Sequence, residues 1–155
     1  MNLRWKQLAL GGIIAALYVA LVLMFAPISY KAIQVRIAEA LAVMPVFTVA
    51  GIPGVTIGCF LANLNQGPID MVFGTIATLI GAVGTRLLRK HRFLSLLPPI
   101  LSNMIIIPFV IRYGSGSEGS LWFFAVTVGI GEIISVGILG SLLRLVLEPH
   151  RKLFE

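Results

Sequence analysis

Long apolar stretches without charge are the feature of this sequence that most restricts its fold. The first runs from Leu8 to Phe25, and stretches of similar character recur as far as Leu147. A helix needs about 20 apolar residues to cross the ~30 Å hydrocarbon core of a bilayer. Only 12% of the residues are charged, whereas soluble domains have about 25%. A soluble fold is therefore excluded, and the sequence predicts an all-α integral membrane protein.

Turn-forming residues divide these stretches into six predicted transmembrane helices. Pro27 ends the first helix, and Gly51-Ile52-Pro53-Gly54 interrupts the apolar block that follows, because proline and glycine end helices. Without that break the block would form a helix of about 42 Å, too long for a bilayer without tilt. The predicted helices span about 7–25, 35–51, 53–64, 69–88, 93–111 and 121–147 of a single transmembrane domain, 1–155.

The positions of the basic residues predict the orientation of these helices. With six helices both termini lie on one side, and a cytoplasmic placement leaves nine Lys and Arg residues inside and three outside. This distribution follows the positive-inside rule. Merging the second and third helices gives five spans and the same distribution of nine basic residues inside and three outside, with the N-terminus outside. The glycine-proline break and the basic residues before the first helix favour six spans, a multi-pass cell-membrane protein and cytoplasmic termini.

Polar side chains within the apolar helices indicate where a ligand binds, since such groups are costly inside a bilayer. In the six-helix arrangement they converge on the outer half of the bundle, and the inner half has few comparable residues. The candidate substrate-binding residues are Gln34, Arg36, Glu39, Asn63, Asp70, Asn103 and Glu132. Together they predict a pocket that is loaded from outside.

Each of these residues also has a structural interpretation. Arg36 and Glu39, three residues apart, could form an ion pair at the membrane interface. Asp70 could stabilise a helix N-terminus, and the two asparagines could form hydrogen bonds between helices. Glu132 is harder to explain in this way, because no basic residue shares its helix turn. It must stay protonated, reach Arg36 across the bundle or bind a ligand.

Small residues form a stripe along the first helix. Gly12, Ala16 and Ala20 follow one another at four-residue spacing, which places them on one face and lets another helix approach closely. The stripe is either a packing surface within the bundle or a docking face for a separate membrane subunit.

The sequence contains no pattern that indicates an enzyme. A Gly-x-x-x-x-Gly-Lys-Ser/Thr loop does not occur, so the chain itself is not expected to hydrolyse ATP. His91 and His150 lack metal-ligand spacing, and no nucleophile–base pair is evident. We therefore expect no catalytic residues, metal or cofactor. Nucleic acid is not an expected partner either, because the basic residues flank apolar helices and do not form a patch.

Three stretches of the chain resemble the QueT family of bacterial membrane proteins. The most specific is Ile-Gln-x-Arg-x-x-Glu-Ala-Leu, which lies within Tyr30–Pro45; the others are Ile52–Leu64 and Asp70–Leu79. The resemblance implies a six-helix substrate-binding (S) component of an energy-coupling factor (ECF) transporter, surrounded by membrane lipid. Such a component works with a transmembrane T component and two cytoplasmic ATPase subunits, in the bacterial cell membrane.

The same resemblance implies a cargo and a docking surface. The cargo is a queuosine precursor, a 7-deazaguanine such as queuine or 7-aminomethyl-7-deazaguanine, which binds near the outer face and is released inside when the S component topples. The first helix of such proteins carries an Ala-x-x-x-Ala-type stripe against the T component. Here the stripe corresponds to Gly12, Ala16 and Ala20, with glycine in the first position.

The polar residues are chemically compatible with a deazaguanine. A guanine-like edge presents two adjacent donors, which a carboxylate accepts in bidentate fashion, and its carbonyl oxygen needs a donor such as Asn, Gln or Arg. Phe60, Phe73 or Phe109 could stack on the ring, although such aromatic residues are also ordinary lipid or core contacts. Two alternatives stay open: an S component for another small planar vitamin or purine, or a structural membrane subunit with no cargo.

Overall fold

The computed structural model describes residues 2–26, 35–114 and 116–154. These residues form helices and contain no strand, which confirms the all-helical class for this part of the chain. The helices are α1 (Leu3–Met24), α2 (Ile37–Val46), α3 (Gly51–Ala62), α4 (Asp70–Leu87), α5 (Leu94–Gly114) and α6 (Leu121–Leu153).

Four of these helices, α1, α4, α5 and α6, are long and apolar enough to cross a membrane. The other two are shorter, with 10 residues in α2 and 12 in α3. At the rise of a 3-10 helix and of an α-helix, they reach about 20 Å and 18 Å. Each is therefore shorter than the ~30 Å hydrocarbon core on its own.

The chain reverses direction between α2 and α3. A Cβ atom at Gly51 would lie 2.5 Å from the backbone nitrogen of Pro45, so only glycine fits at this turn. Helix α3 then runs back beside α2, and Cys59 near its end lies close to Glu39 at the start of α2. The two helices form a hairpin, which excludes the five-span arrangement in which they merge into one helix.

Helix α2 is the central element of the bundle. It is wound as a 3-10 helix and is buried from Ala38 to Val46, with α1, α3, α4 and α6 packed around it. Runs of 3-10 helix this long are uncommon and often mark functional segments or strain. The first turn of this buried helix carries Glu39.

Arginine side chains fix one end of the bundle, here called the basic end. The Arg86 Nη1 donates to the Pro45 carbonyl oxygen at 3.0 Å, at the end of α2. The buried Arg144 of α6 donates to the Arg92 carbonyl oxygen at 3.0 Å and to Ser95 Oγ at 2.8 Å. These bonds join α2, α4, α6 and the α4–α5 loop. The beginnings of α2 and α4 therefore lie at the opposite end.

Helix α1 has one packed face and one open face. Its packed face meets glycines of α3: a Cβ atom at Gly58 would lie 2.6 Å from the Tyr18 Cβ, and one at Gly54 would lie 2.9 Å from the Ile14 Cβ. The stripe of Gly12, Ala16 and Ala20 lies on the open face and is exposed.

Candidate substrate-binding site

The first part of the site joins α1 to the beginning of α2. Glu39 is 1% exposed, and the hydroxyl of the equally buried Tyr18 donates a hydrogen bond to its Oε1. Arg36, which precedes α2 and is 8% exposed, lies close enough to interact electrostatically with both residues. A guanidinium and a carboxylate thus lie within electrostatic reach of each other inside the bundle, where isolated charges are costly.

A second carboxylate enters the site from α6. Glu132 is 4% exposed, and its Oε1 accepts a hydrogen bond from Asn103 Nδ2 of α5 at 2.9 Å. Glu132 also interacts electrostatically with Glu39 and Arg36. The amide therefore fixes one oxygen of the carboxylate, and α5 and α6 contribute to the same site.

Asp70 and Asn63 lie on the α3 and α4 side of this site. Asp70 is partly exposed at the start of α4 and is within electrostatic reach of Arg36. The buried Asn63 donates from Nδ2 to Cys59 Sγ at 3.4 Å, and Thr78 Oγ1 lies 3.2 Å from the same sulfur. Cys59 in turn lies close to Glu39 and Arg36. Asn63 is thus connected to the charged residues through the cysteine.

We call the charged residues and their partners the polar cluster. It consists of Tyr18, Arg36, Glu39, Asp70, Asn103 and Glu132. Three buried polar atoms have no hydrogen-bond partner within the described ranges: Arg36 Nε, Glu132 Oε2 and, three residues after Glu132, Ser135 Oγ. Leaving such atoms unsatisfied costs about 1–3 kcal/mol each. Arg36 Nε can therefore donate to a bound molecule, Glu132 Oε2 can accept from it, and the Ser135 hydroxyl can do either.

The structure brings six of the seven candidate residues to this region, and the seventh, Gln34, lies outside the described residues. The sequence analysis did not select two further buried residues: Tyr18, which bonds to Glu39, and Ser135, which follows Glu132 by three residues on α6. Both are hydroxyl-bearing side chains within long apolar helices. The asparagines were selected because polar groups are costly inside a bilayer. The same argument could have selected Tyr18 and Ser135.

An apolar surface pocket of about 430 Å³ lies between the start of α4 and the end of α5, and no residue of the polar cluster lines it. Its lining includes Ile69 and Phe73, which flank Asp70, and Phe109 and Tyr113 of α5. Two of the three aromatic residues considered for stacking therefore share one pocket. Phe60 lies on α3 and is not part of its lining.

A metal centre finds no support in this part of the chain. Across residues 2–26, 35–114 and 116–154, no three or more His, Cys, Asp or Glu residues come together in a way that could hold a metal ion.

Comparison with known proteins gives one match. A family model described as QueT transporter matches residues 8–149, nearly the whole chain. No curated protein and no solved structure matches.

Proposed function

The chain belongs to the QueT transporter family, and on this premise we propose that it is the substrate-binding component of an ATP-driven ECF-type importer. Its cargo is a queuosine precursor, queuine or 7-aminomethyl-7-deazaguanine, which it captures on the outer side and delivers to the cytoplasm. The observation that carries the proposal is the buried polar cluster, in which Arg36 and Glu132 each keep a polar atom with no hydrogen-bond partner among the residues the structure describes.

The available atoms suit a guanine-like ring. Arg36 Nε is a donor and fits the ring carbonyl oxygen, and a carboxylate fits the adjacent ring N–H and exocyclic amine. Asn103 and Asp70 lie at the same site, and Gln34 and Asn63 complete the proposed set. Because Arg36, Glu39 and Glu132 are buried, the cargo reaches them only when neighbouring elements move apart.

We place six spans in the membrane, with both termini in the cytoplasm. The α2–α3 hairpin begins and ends at the same end of the bundle. Its presence therefore does not change the side of the membrane on which each of the four long helices begins and ends. The basic end then faces the cytoplasm, as the positive-inside rule requires, and the polar cluster lies toward the outer side.

The partners in this proposal are a transmembrane T component and two cytoplasmic ATPase subunits, which hydrolyse ATP in place of this chain. The open face of α1 supports a membrane partner, since Gly12, Ala16 and Ala20 are exposed and a Cβ atom at Gly12 would meet nothing within 4 Å. Small residues on such a face permit close contact with another helix.

Binding of the purified protein to queuine and 7-aminomethyl-7-deazaguanine, followed by isothermal titration calorimetry in detergent, tests the proposed function. We expect saturable binding, and at least about tenfold weaker binding in Glu39→Gln and in Glu132→Gln, because a hydrogen bond to a charged group contributes about 1.5–3 kcal/mol. The exposed Glu118 gives a matched control, and Glu118→Gln should bind normally. Unchanged affinity in both buried variants would remove these carboxylates from the site.

A thermal-shift screen distinguishes the proposed function from its two alternatives, an S component for another cargo and a structural subunit without cargo. Stabilisation by deazaguanines alone supports the proposal, because a ligand that binds only the folded protein raises its stability. Stabilisation by another planar vitamin or purine indicates an S component of different specificity. A protein that responds to no compound in the screen is better explained as a structural membrane subunit without cargo.

A further inference from the structure

A pocket of about 280 Å³ lies at the basic end, away from the polar cluster. It is lined by Arg92 of the α4–α5 loop and by Arg144, Leu145 and Glu148 of α6. This volume is close to the lower limit for small-molecule pockets, about 300 Å³. The pocket can therefore hold a molecule the size of a lipid headgroup, but not a large ligand.

Hydrogen bonds hold the backbone around Arg92 in place. The buried Arg144 donates from Nη1 to the Arg92 carbonyl oxygen at 3.0 Å and from Nη2 to the Arg89 carbonyl oxygen at 3.3 Å. The Ser95 hydroxyl also donates to the Arg92 carbonyl oxygen, at 3.1 Å. The Arg92 side chain itself is exposed and has no hydrogen-bond or ion-pair partner within the described residues. Arg144 thus positions the loop, and Arg92 presents a guanidinium that can bind a ligand.

Positive charge around this pocket exceeds the negative charge that could balance it. Residues 71–117, which include the α4–α5 loop, contain no Asp or Glu. The pocket has one carboxylate, Glu148, which pairs with two arginines of α6 at 3.6 and 3.5 Å. Arg86 is within electrostatic reach of both Arg89 and Arg151, and guanidinium groups stay charged at neutral pH. Like charges thus repel one another here, and a bound anion would reduce that repulsion.

Apolar side chains beside the pocket indicate that this anion is a lipid. Leu145, which lines the pocket, is half-exposed, and Phe93, next to Arg92, is largely exposed. Leu142 is also exposed and lies on the same face of α6, three residues before Leu145. Because α6 is long and apolar enough to cross a membrane, its exposed apolar side chains face acyl chains. The pocket therefore lies where the polar and apolar parts of a bilayer meet.

We infer that the basic end binds one anionic phospholipid, with its phosphate held by Arg92 in this pocket and its acyl chains along Leu145 and Leu142. Arginine can form two parallel hydrogen bonds with a phosphate, and basic pockets between transmembrane helices bind anionic headgroups. A zwitterionic lipid has a cationic group beside its phosphate, which the surrounding arginines repel. The site thus selects lipids by the net charge of the headgroup, and this selection does not depend on the identity of the cargo.

The test compares phosphatidylglycerol with phosphatidylcholine of the same acyl chains on the purified, unaltered protein. Native mass spectrometry from detergent counts the bound lipids and gives their affinities. We expect one phosphatidylglycerol molecule to bind about tenfold or more tightly than phosphatidylcholine, the change that corresponds to one hydrogen bond to a charged group. Affinities within about threefold of each other would overturn the inference.

Two variants in the α4–α5 loop locate the site. Arg92→Gln removes the proposed phosphate ligand and should reduce the preference for phosphatidylglycerol to less than about threefold. Lys90→Gln removes the same charge from an exposed residue that does not line the pocket, and it should keep the preference. Equal losses in the two variants would show a diffuse attraction to the loop and would contradict the assigned site.

Inorganic phosphate distinguishes a lipid site from a site for a soluble anion. It carries the charged group of the lipid without the acyl chains, so it lacks the contacts with Leu145 and Leu142. We expect inorganic phosphate at the same concentration as the lipid to leave phosphatidylglycerol bound. Displacement of the lipid under these conditions would make the pocket a site for a soluble anion and would overturn the inference.

Discussion

The Tyr18 hydroxyl is the only group in α1 that donates a hydrogen bond to a carboxylate of the polar cluster within the described ranges. Its side chain also packs against Gly58 of α3, where an added Cβ atom would lie 2.6 Å from the Tyr18 Cβ. One side chain therefore contributes to both helix packing and the orientation of Glu39. These two contributions can be separated by removing the oxygen atom alone.

Replacing Tyr18 by phenylalanine should reduce stability, because Glu39 Oε1 would lose its donor while the ring kept its packing. We expect a loss of about 1–3 kcal/mol, the cost of an unsatisfied buried acceptor, measured as a lower midpoint of thermal unfolding in detergent. Tyr113→Phe is the control, since Tyr113 is exposed, and it should unfold like the unaltered protein. Equal midpoints for Tyr18→Phe and Tyr113→Phe would show that the hydroxyl contributes nothing.

Single residues of the polar cluster could be found from the sequence where their cost in a bilayer is large. Charged residues such as Glu39 and Glu132 stand out because few explanations besides function account for them. Tyr18 and Ser135 were missed because hydroxyl groups are cheaper to bury and can bond to their own helix backbone. Which atoms stay unsatisfied depends on the packing of several helices, and a single sequence does not contain that information.

At the scale of the element, the proposed function assigns the cargo to one face of α1 and the membrane partner to the other. Ala16→Trp places a large side chain on the exposed stripe, so we expect uptake by the intact transporter to be abolished while the purified protein binds cargo normally. Uptake is measured in cells that contain the T component and ATPase subunits, and binding is measured by calorimetry. Uptake that survives in Ala16→Trp would make the stripe an ordinary lipid-facing surface.

A control variant on the same helix tests whether the effect of Ala16→Trp is specific to the stripe. Leu17 is exposed but lies beside the stripe, and Leu17→Trp should preserve both uptake and binding. Gly58→Ala tests the opposite face of α1, where the new Cβ would meet Tyr18, and it should lower thermal stability. Substitutions on the two faces of α1 should thus have different effects: those on the stripe reduce uptake, and those at the packed face reduce thermal stability.

The helix boundaries in this protein show why the ends of a helix are harder to predict from sequence than its existence. The sequence predicts a second helix over about 35–51 and a break at the glycine-proline segment. In the structure α2 ends at Val46, and the segment forms the first turn of α3. Pro53 is accommodated there because the first backbone N–H groups of a helix need no partner within it. A proline at a helix beginning and one at a helix end look alike in a single sequence.

At the scale of the whole molecule, the topology predicts which loops are accessible from outside. A cysteine introduced at Glu118, in the α5–α6 loop, should react with a membrane-impermeant maleimide on intact cells. A cysteine at Lys90, in the α4–α5 loop, should react only after the membrane is permeabilised. The native Cys59 is 1% exposed and should contribute no background. The reverse labelling pattern would invert the orientation of the bundle.

The hydrogen bond between Tyr18 and Glu39 has a consequence for how a loaded subunit could be recognised. Tyr18 faces the polar cluster, while Ala16 and Ala20, two residues to either side, face outward. If the proposed function holds, a cargo that displaces Glu39 would also act on α1 through this hydrogen bond. Cargo and membrane partner would then contact opposite faces of one helix, so that loading of the site could be read on the outer face of α1.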